Sequence, residues 1–179
     1  MKNIIKVSVL FCCFTLLFSC QKNKEKSSSS ENNSTQVDEK QQAKSALKQE
    51  LEIFDEEYSS YVKEFYETLN KTNAFIKEGG KEEEKRKEII IQISENAKPN
   101  SLNIDIPKTL EGQFDSEIKS IQSIFTNFIV LQSELEKYIS TNAWQEDKRK
   151  TIYNLNAKAE ELTSEYERYF SALTKGVNQ

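Results

Sequence analysis

The chain has 179 residues, with 25 Lys and Arg against 29 Asp and Glu, no His, three Cys, four Gly and two Pro. The lack of histidine excludes Ser-His-Asp and Cys-His catalysis, imidazole metal sites and histidine pH switching, and a formal charge of -4 offers no basic excess for nucleic-acid phosphates. Charged residues make up 30% of the chain while Gly and Pro are scarce; an all-β fold of this length needs many Gly- or Pro-marked turns, so the composition predicts an all-α fold.

Lys2 and Lys6 give a basic start, and residues 7–18 are almost wholly apolar. A helix of that length spans about 18 Å, short of the ~30 Å hydrocarbon core, yet it falls within the roughly 7–15 residues of a signal-peptide apolar core. Leu17-Phe18-Ser19-Cys20 closes the run. This tetrapeptide resembles the bacterial lipoprotein signal, with Leu at the third position before cleavage, a small residue just before it and the obligatory Cys just after. The resemblance implies a cleaved signal peptide at 1–19, cut between Ser19 and Cys20, with diacylglyceryl on the Cys20 sulfur and further acylation, by palmitate or a similar chain, on its new amino group. Two or three acyl chains hold a protein firmly to a bilayer, at about 0.8 kcal/mol per buried methylene. Cys12 and Cys13 leave with the signal, so the mature chain keeps no free thiol for a disulfide, a nucleophile or zinc. Loss of Lys2 and Lys6 also takes the formal charge from -4 to -6.

Residues 20–44 carry the lipidated cysteine and a polar tract in which Val37 and Ala43 are the apolar members. Such a tract cannot offset the entropy of ordering, which predicts a flexible tether with a reach of roughly 25–30 Å. The domain proper is expected at 45–179. Over 46–77, Leu47, Leu51, Phe54, Tyr58, Tyr61, Phe65 and Leu69 step by threes and fours, the spacing of an amphipathic helix, which Gly79-Gly80 then ends.

The segment 81–98 is charged and then β-branched (Ile89-Ile90-Ile91-Gln92-Ile93). A lone strand would have no partner there, so a short helix is expected. Pro99 and Pro107 bracket a loop whose Leu102, Ile104 and Ile106 should tuck against the domain. Over 109–140 a broad apolar face, with Phe114, Ile118, Ile121, Phe125, Phe128, Leu135 and Ile139 plus the row Ile124, Leu131, Tyr138, marks the central helix, with Gln132 as its one polar member. Asn142 and Gln145 have capping-box spacing for a third long helix running from Trp144 to about Gly176. A connection of about three residues between these two helices forces an antiparallel hairpin. The expected architecture is an antiparallel bundle of three long helices with a shorter helical insert.

No residue set assembles chemistry. The acidic pairs (Glu56-Glu57, Glu82-Glu83-Glu84, Glu160-Glu161) read as solvated helix faces, Gly79-Gly80 lacks a phosphate-loop pattern, and no metal ligands or cofactor motif are expected. The aromatics read mostly as core, while Tyr66 and Tyr153 lie off their helices' stripes and are the candidates for an exposed contact. The tether, the first helix with Tyr58, Tyr61 and Tyr66, the Gly break before Lys81-Glu82, and a hairpin passing through Tyr138, Trp144 and Asp147 together resemble the YiiG-like bacterial lipoproteins. That family has no assigned activity and brings no catalytic residues. The expected protein is a non-enzymatic lipoprotein of the bacterial cell envelope, at the outer membrane or cell surface where the organism has an outer membrane. It touches membrane lipid through Cys20 and binds a protein rather than nucleic acid. The alternatives are a self-associating structural protein and, less favoured, a small-ligand carrier or enzyme.

Overall fold

The computed structural model describes residues 31–96 and 103–179, all helix, turn and loop with no strand among them. The expected signal peptide and the cleavage residues Ser19 and Cys20 lie outside the described residues, as does Leu102. Five α-helices follow in chain order: α1 (Glu31–Lys77), α2 (Glu83–Asn96), α3 (Asp115–Ser140), the single turn α4 (Trp144–Asp147) and α5 (Lys150–Asn178). The all-α bundle of the sequence reading is what forms.

α1 rises from the base of the bundle to its tip, and α2 descends over the upper half of α1. α3 rises again and α5 returns antiparallel to it, as the Lys158–Glu134 ion pair and the Phe114 ring beside Gly176 both show. Arg86, in the first turn of α2, reaches the last carbonyl of α3 at Ser140 and the Asn142 side chain, so α2 is antiparallel to α3 as well. The insert is thus a fourth wall. Its Ile89 and Ile93 close the upper core, and Ile104 and Leu110 in the following loop and 3-10 turn close the lower. The segment is helical as expected, and Ile89 and Ile93, four apart, share its buried face.

Three boundaries differ from expectation. α1 begins at Glu31, inside the stretch expected as tether. Low apolar content denies a segment a buried face, but it does not stop a nucleated helix from propagating, and no Gly or Pro interrupts residues 31–78. Ala43 already packs in the core, two residues ahead of the expected domain start. α3 begins at Asp115 rather than near 109, because Gly112 turns left-handed (φ 79°) and its amide donates to the Asp115 carboxylate at 3.0 Å. The expected helix from Trp144 to Gly176 is broken at Lys148 and Arg149, both left-handed, and Gly176 stays inside α5, which runs to Asn178.

The core is aromatic. Phe125 meets Phe54, Tyr58 and Tyr61 edge-on at 5.6, 5.6 and 5.1 Å, and Phe128 meets Tyr58 and Phe65 at 5.8 Å each. Edge-to-face rings at these distances add about 0.5–1.5 kcal/mol per pair beyond area burial. Two threonines are buried on α1 without cost in unmet hydrogen bonds, since Thr68 and Thr72 donate to the carbonyls of Glu64 and Thr68. The polar exception of the α3 stripe, Gln132, is buried too, and its amide donates to the Ile93 carbonyl, tying α3 to α2.

Candidate interaction surface at the bundle tip

The two tyrosines singled out for exposure separate. Tyr66 is half-buried, its ring against Phe65 at 5.9 Å, and belongs to the core edge. Tyr153, in the first turns of α5, is 54% exposed, with the Arg149 guanidinium 5.6 Å from its ring centroid. They sit on different helices with different neighbours and form no joint surface.

Tyr58, Tyr61, Tyr138 and Tyr166 are interior, while Tyr169 is half-buried between α3 and α5 with the Arg168 guanidinium 4.7 Å from its ring centroid. Tyr58 stacks on Tyr166 at 3.5 Å, and Tyr166 stacks on Phe170 at 5.3 Å. The Tyr166 hydroxyl donates to Asp55 at 3.0 Å. The Tyr58 and Tyr61 hydroxyls are buried with no hydrogen-bond partner of ordinary geometry, and the Thr163 hydroxyl near Tyr58 donates instead to Ala159. Burial pushes the phenols of Tyr58, Tyr61 and Tyr166 above the tyrosine range, and for Tyr166 the Asp55 carboxylate adds to the push. Held protonated, these phenols take part in the packing of the core.

The tip is built differently. α1 ends in a Schellman motif: the Gly80 amide donates to Phe75 at 3.0 Å and the Gly79 amide to Ile76 at 3.1 Å. Gly79 (φ 96°) supplies the left-handed turn, whereas Gly80 is required for space, since a Cβ there would lie 2.2 Å from the Trp144 ring. Trp144 packs edge-on to Phe75, and its indole N–H is buried without an acceptor.

α3 ends in the same motif. Ala143 donates to Tyr138 at 3.3 Å and Asn142, at φ 57°, to Ile139 at 3.5 Å. Asn142 is therefore the left-handed terminator of α3 and not the expected N-cap of the next helix. Tolerance of left-handed φ prevailed over its capping capacity. Its side-chain oxygen serves Arg86 at 3.1 Å.

Asp147 does the capping instead. One carboxylate oxygen accepts from the Tyr138 hydroxyl at 2.6 Å and the Arg149 amide at 2.9 Å, and the other accepts from the Thr151 amide at 3.0 Å. Partial burial works against the charged carboxylate, but the Thr151, Tyr138 and Arg149 hydrogen bonds outweigh it and hold Asp147 below the usual carboxylate range. In turn, burial and the bond to Asp147 push the Tyr138 phenol up. This joint locks Lys148 (φ 52°) and Arg149 (φ 73°) in left-handed backbone, where a bulky side chain is strained. In sequence the triplet Lys148-Arg149-Lys150 looks like one turn of a solvated helix, and no local signal marks the break.

Elsewhere the surface is concave between helices without convergent chemistry. Two clefts of about 320 and 230 Å³ run between α3 and α5 and meet at Asn127. A third, of about 290 Å³, lies at the base between α1 and the end of α5. Its Lys44 and Lys48 face the negative end of the α5 dipole, which accounts for them as stabilising charges. Among the described residues no group of acids or thiols is placed to hold a metal, and no helix is long and apolar enough to cross a membrane.

No family model matches the chain. Neither a curated protein nor a solved structure shows significant similarity to it.

Proposed function

We propose that the protein is a non-enzymatic bacterial lipoprotein, anchored at the cell envelope through acylated Cys20, that presents the tip of its bundle to a protein partner. The observation that carries the reading is the Leu17-Phe18-Ser19-Cys20 signature after a short apolar run. The polarity of the bundle supports it: α1 leads from the anchor side to the tip, and its 47 residues amount to about 70 Å of helix. The exposed Tyr153 and its Arg149 neighbour stand at that far end, and both residue types are enriched at binding hot spots.

Replacing Cys20 by Ser should release the protein from membranes or leave it unprocessed; unchanged fractionation with normal maturation would refute the anchor. Crosslinking in intact envelopes followed by purification should recover a reproducible partner, and repeated failure to do so counts against the display reading. Self-association is the second reading, favoured by Val130, which stands 50% exposed beside the α3–α5 cleft. Light scattering of the protein without residues 1–20 separates the two: a monomer at high concentration removes self-association.

A further inference from the structure

We infer that the corner formed by residues 148–153 is a docking site for an acidic peptide segment of a protein partner, held by Lys148, Arg149 and Lys150 beside the open face of Tyr153. This rests on the display reading and names what the displayed surface takes.

Stability accounts for neither lysine, and for Arg149 only through its contact with the Tyr153 ring. The three bases stand at the N-terminal end of α5, where the helix dipole favours acids, and the first turn of α5 holds no acid. Two of them occupy left-handed backbone, although the chain uses Gly79, Gly80 and Asn142 at its other left-handed positions around the same tip. Their charges are also unanswered. Along α2 each base has a carboxylate, in the pairs Lys85–Glu78, Arg86–Glu83 and Lys87–Glu84. At the corner, Asp147 has both oxygens committed to Tyr138, Arg149 N–H and Thr151 N–H. Lys148, Arg149 and Lys150 have no ion pair among the described residues, and the Arg149 Nη1 is buried without an acceptor. Glu146 is the remaining acid of α4, so the corner keeps a positive excess on a chain whose formal charge is -4.

Tyr and Arg are residue types enriched at interface hot spots, the Tyr153 ring is exposed with the Arg149 guanidinium 5.6 Å from it, and the unpaired bases Lys148 and Lys150 adjoining Arg149 in the chain select carboxylates. The negative charge of the whole chain disfavours a nucleic acid, and the position at the far end of α1 keeps the corner away from the anchoring bilayer.

The experiment titrates the full-length protein, in nonionic detergent, with a fluorescein-labelled oligoglutamate peptide. Binding should weaken as salt rises, and Arg149→Ala and Tyr153→Ala should each weaken it about tenfold or more. Lys148→Gly and Lys150→Glu are the decisive variants. Each should raise the melting temperature by about 2–4 °C while lowering affinity. The assignment is overturned if oligoglutamate does not bind, if the four variants bind like the parent, or if Lys148→Gly melts lower. Full competition by phosphatidylglycerol carried in mixed micelles of the same detergent would also overturn it, in favour of a lipid surface. A failed titration beside a reproducible crosslinked partner removes the acidic-segment assignment and leaves the display reading standing.

Discussion

Around Phe125 and Phe128 in the middle of the bundle, rings from α1 and α3 meet edge-on, and Tyr166 from α5 stacks on Tyr58. Around Asp147 at the tip, a one-turn helix, two strained basic residues and a buried indole N–H without an acceptor are held together by three hydrogen bonds to the Asp147 carboxylate and one Trp–Phe contact. The middle keeps regular helical backbone throughout, although the Tyr58 and Tyr61 hydroxyls are buried there without partners. The tip departs from several local rules within ten residues. Strained backbone of this kind gathers where function requires it, so the contrast sets the packing that stabilises the protein in one region against the strained corner at which we propose recognition in the other.

The largest effect is expected in the middle. Phe125→Ala removes the shared neighbour of Phe54, Tyr58 and Tyr61 and should cost about 3–5 kcal/mol in a denaturant titration. Next comes Gly80→Ala at the junction of α1 with the tip. It combines a left-handed backbone with a collision against Trp144 and should cost about 2–4 kcal/mol, with altered Trp fluorescence as its signature.

Asp147→Asn should cost about 1–3 kcal/mol at neutral pH, through loss of charge-assisted hydrogen bonds to Tyr138, Arg149 and Thr151. The folded pKa of Asp147 lies below its unfolded value of about 3.9. Its stabilisation is therefore complete above that unfolded value and disappears as pH falls through the folded one. The gap between parent and Asp147→Asn should narrow on acidification from pH ~6 to ~3; a gap independent of pH would break the assignment of Asp147 as the ionised cap.

The smallest expected difference is the sharpest test of the core. Tyr58→Phe deletes a hydroxyl without a partner and should be neutral or slightly stabilising, whereas Tyr166→Phe loses the bond to Asp55 and should cost about 1 kcal/mol. Equal losses at both sites would show that the Tyr58 hydroxyl is satisfied after all.

The stripes on α1 and α3 were legible because burial on one face of a long helix imposes a repeat that needs no knowledge of the partner. Leu47 through Leu69 all reappear in the core, as do Ile118 through Ile139. Phe75, Thr68 and Thr72 were not anticipated, since α1 broadens its buried face only where α2 folds back on it. The tip was largely illegible. Asn142 and Asp147 each have two local roles open to them, terminator or cap, and Tyr138, Arg86 and Trp144, brought in from elsewhere in the chain, settle which one each takes. Of the two tyrosines read as exposed, only Tyr153 is, because Tyr66 finds a ring neighbour in Phe65 and a place at the core edge.

By itself the sequence determined the helical class, the faces that meet and the point where α1 ends, all of which follow from periodicity and from residues that set backbone dihedrals locally. Tertiary structure decided that the insert becomes a fourth wall and that the hairpin corner breaks into α4 and two strained basic residues. Those outcomes depend on contacts between residues far apart in the chain, and no local propensity carries that information.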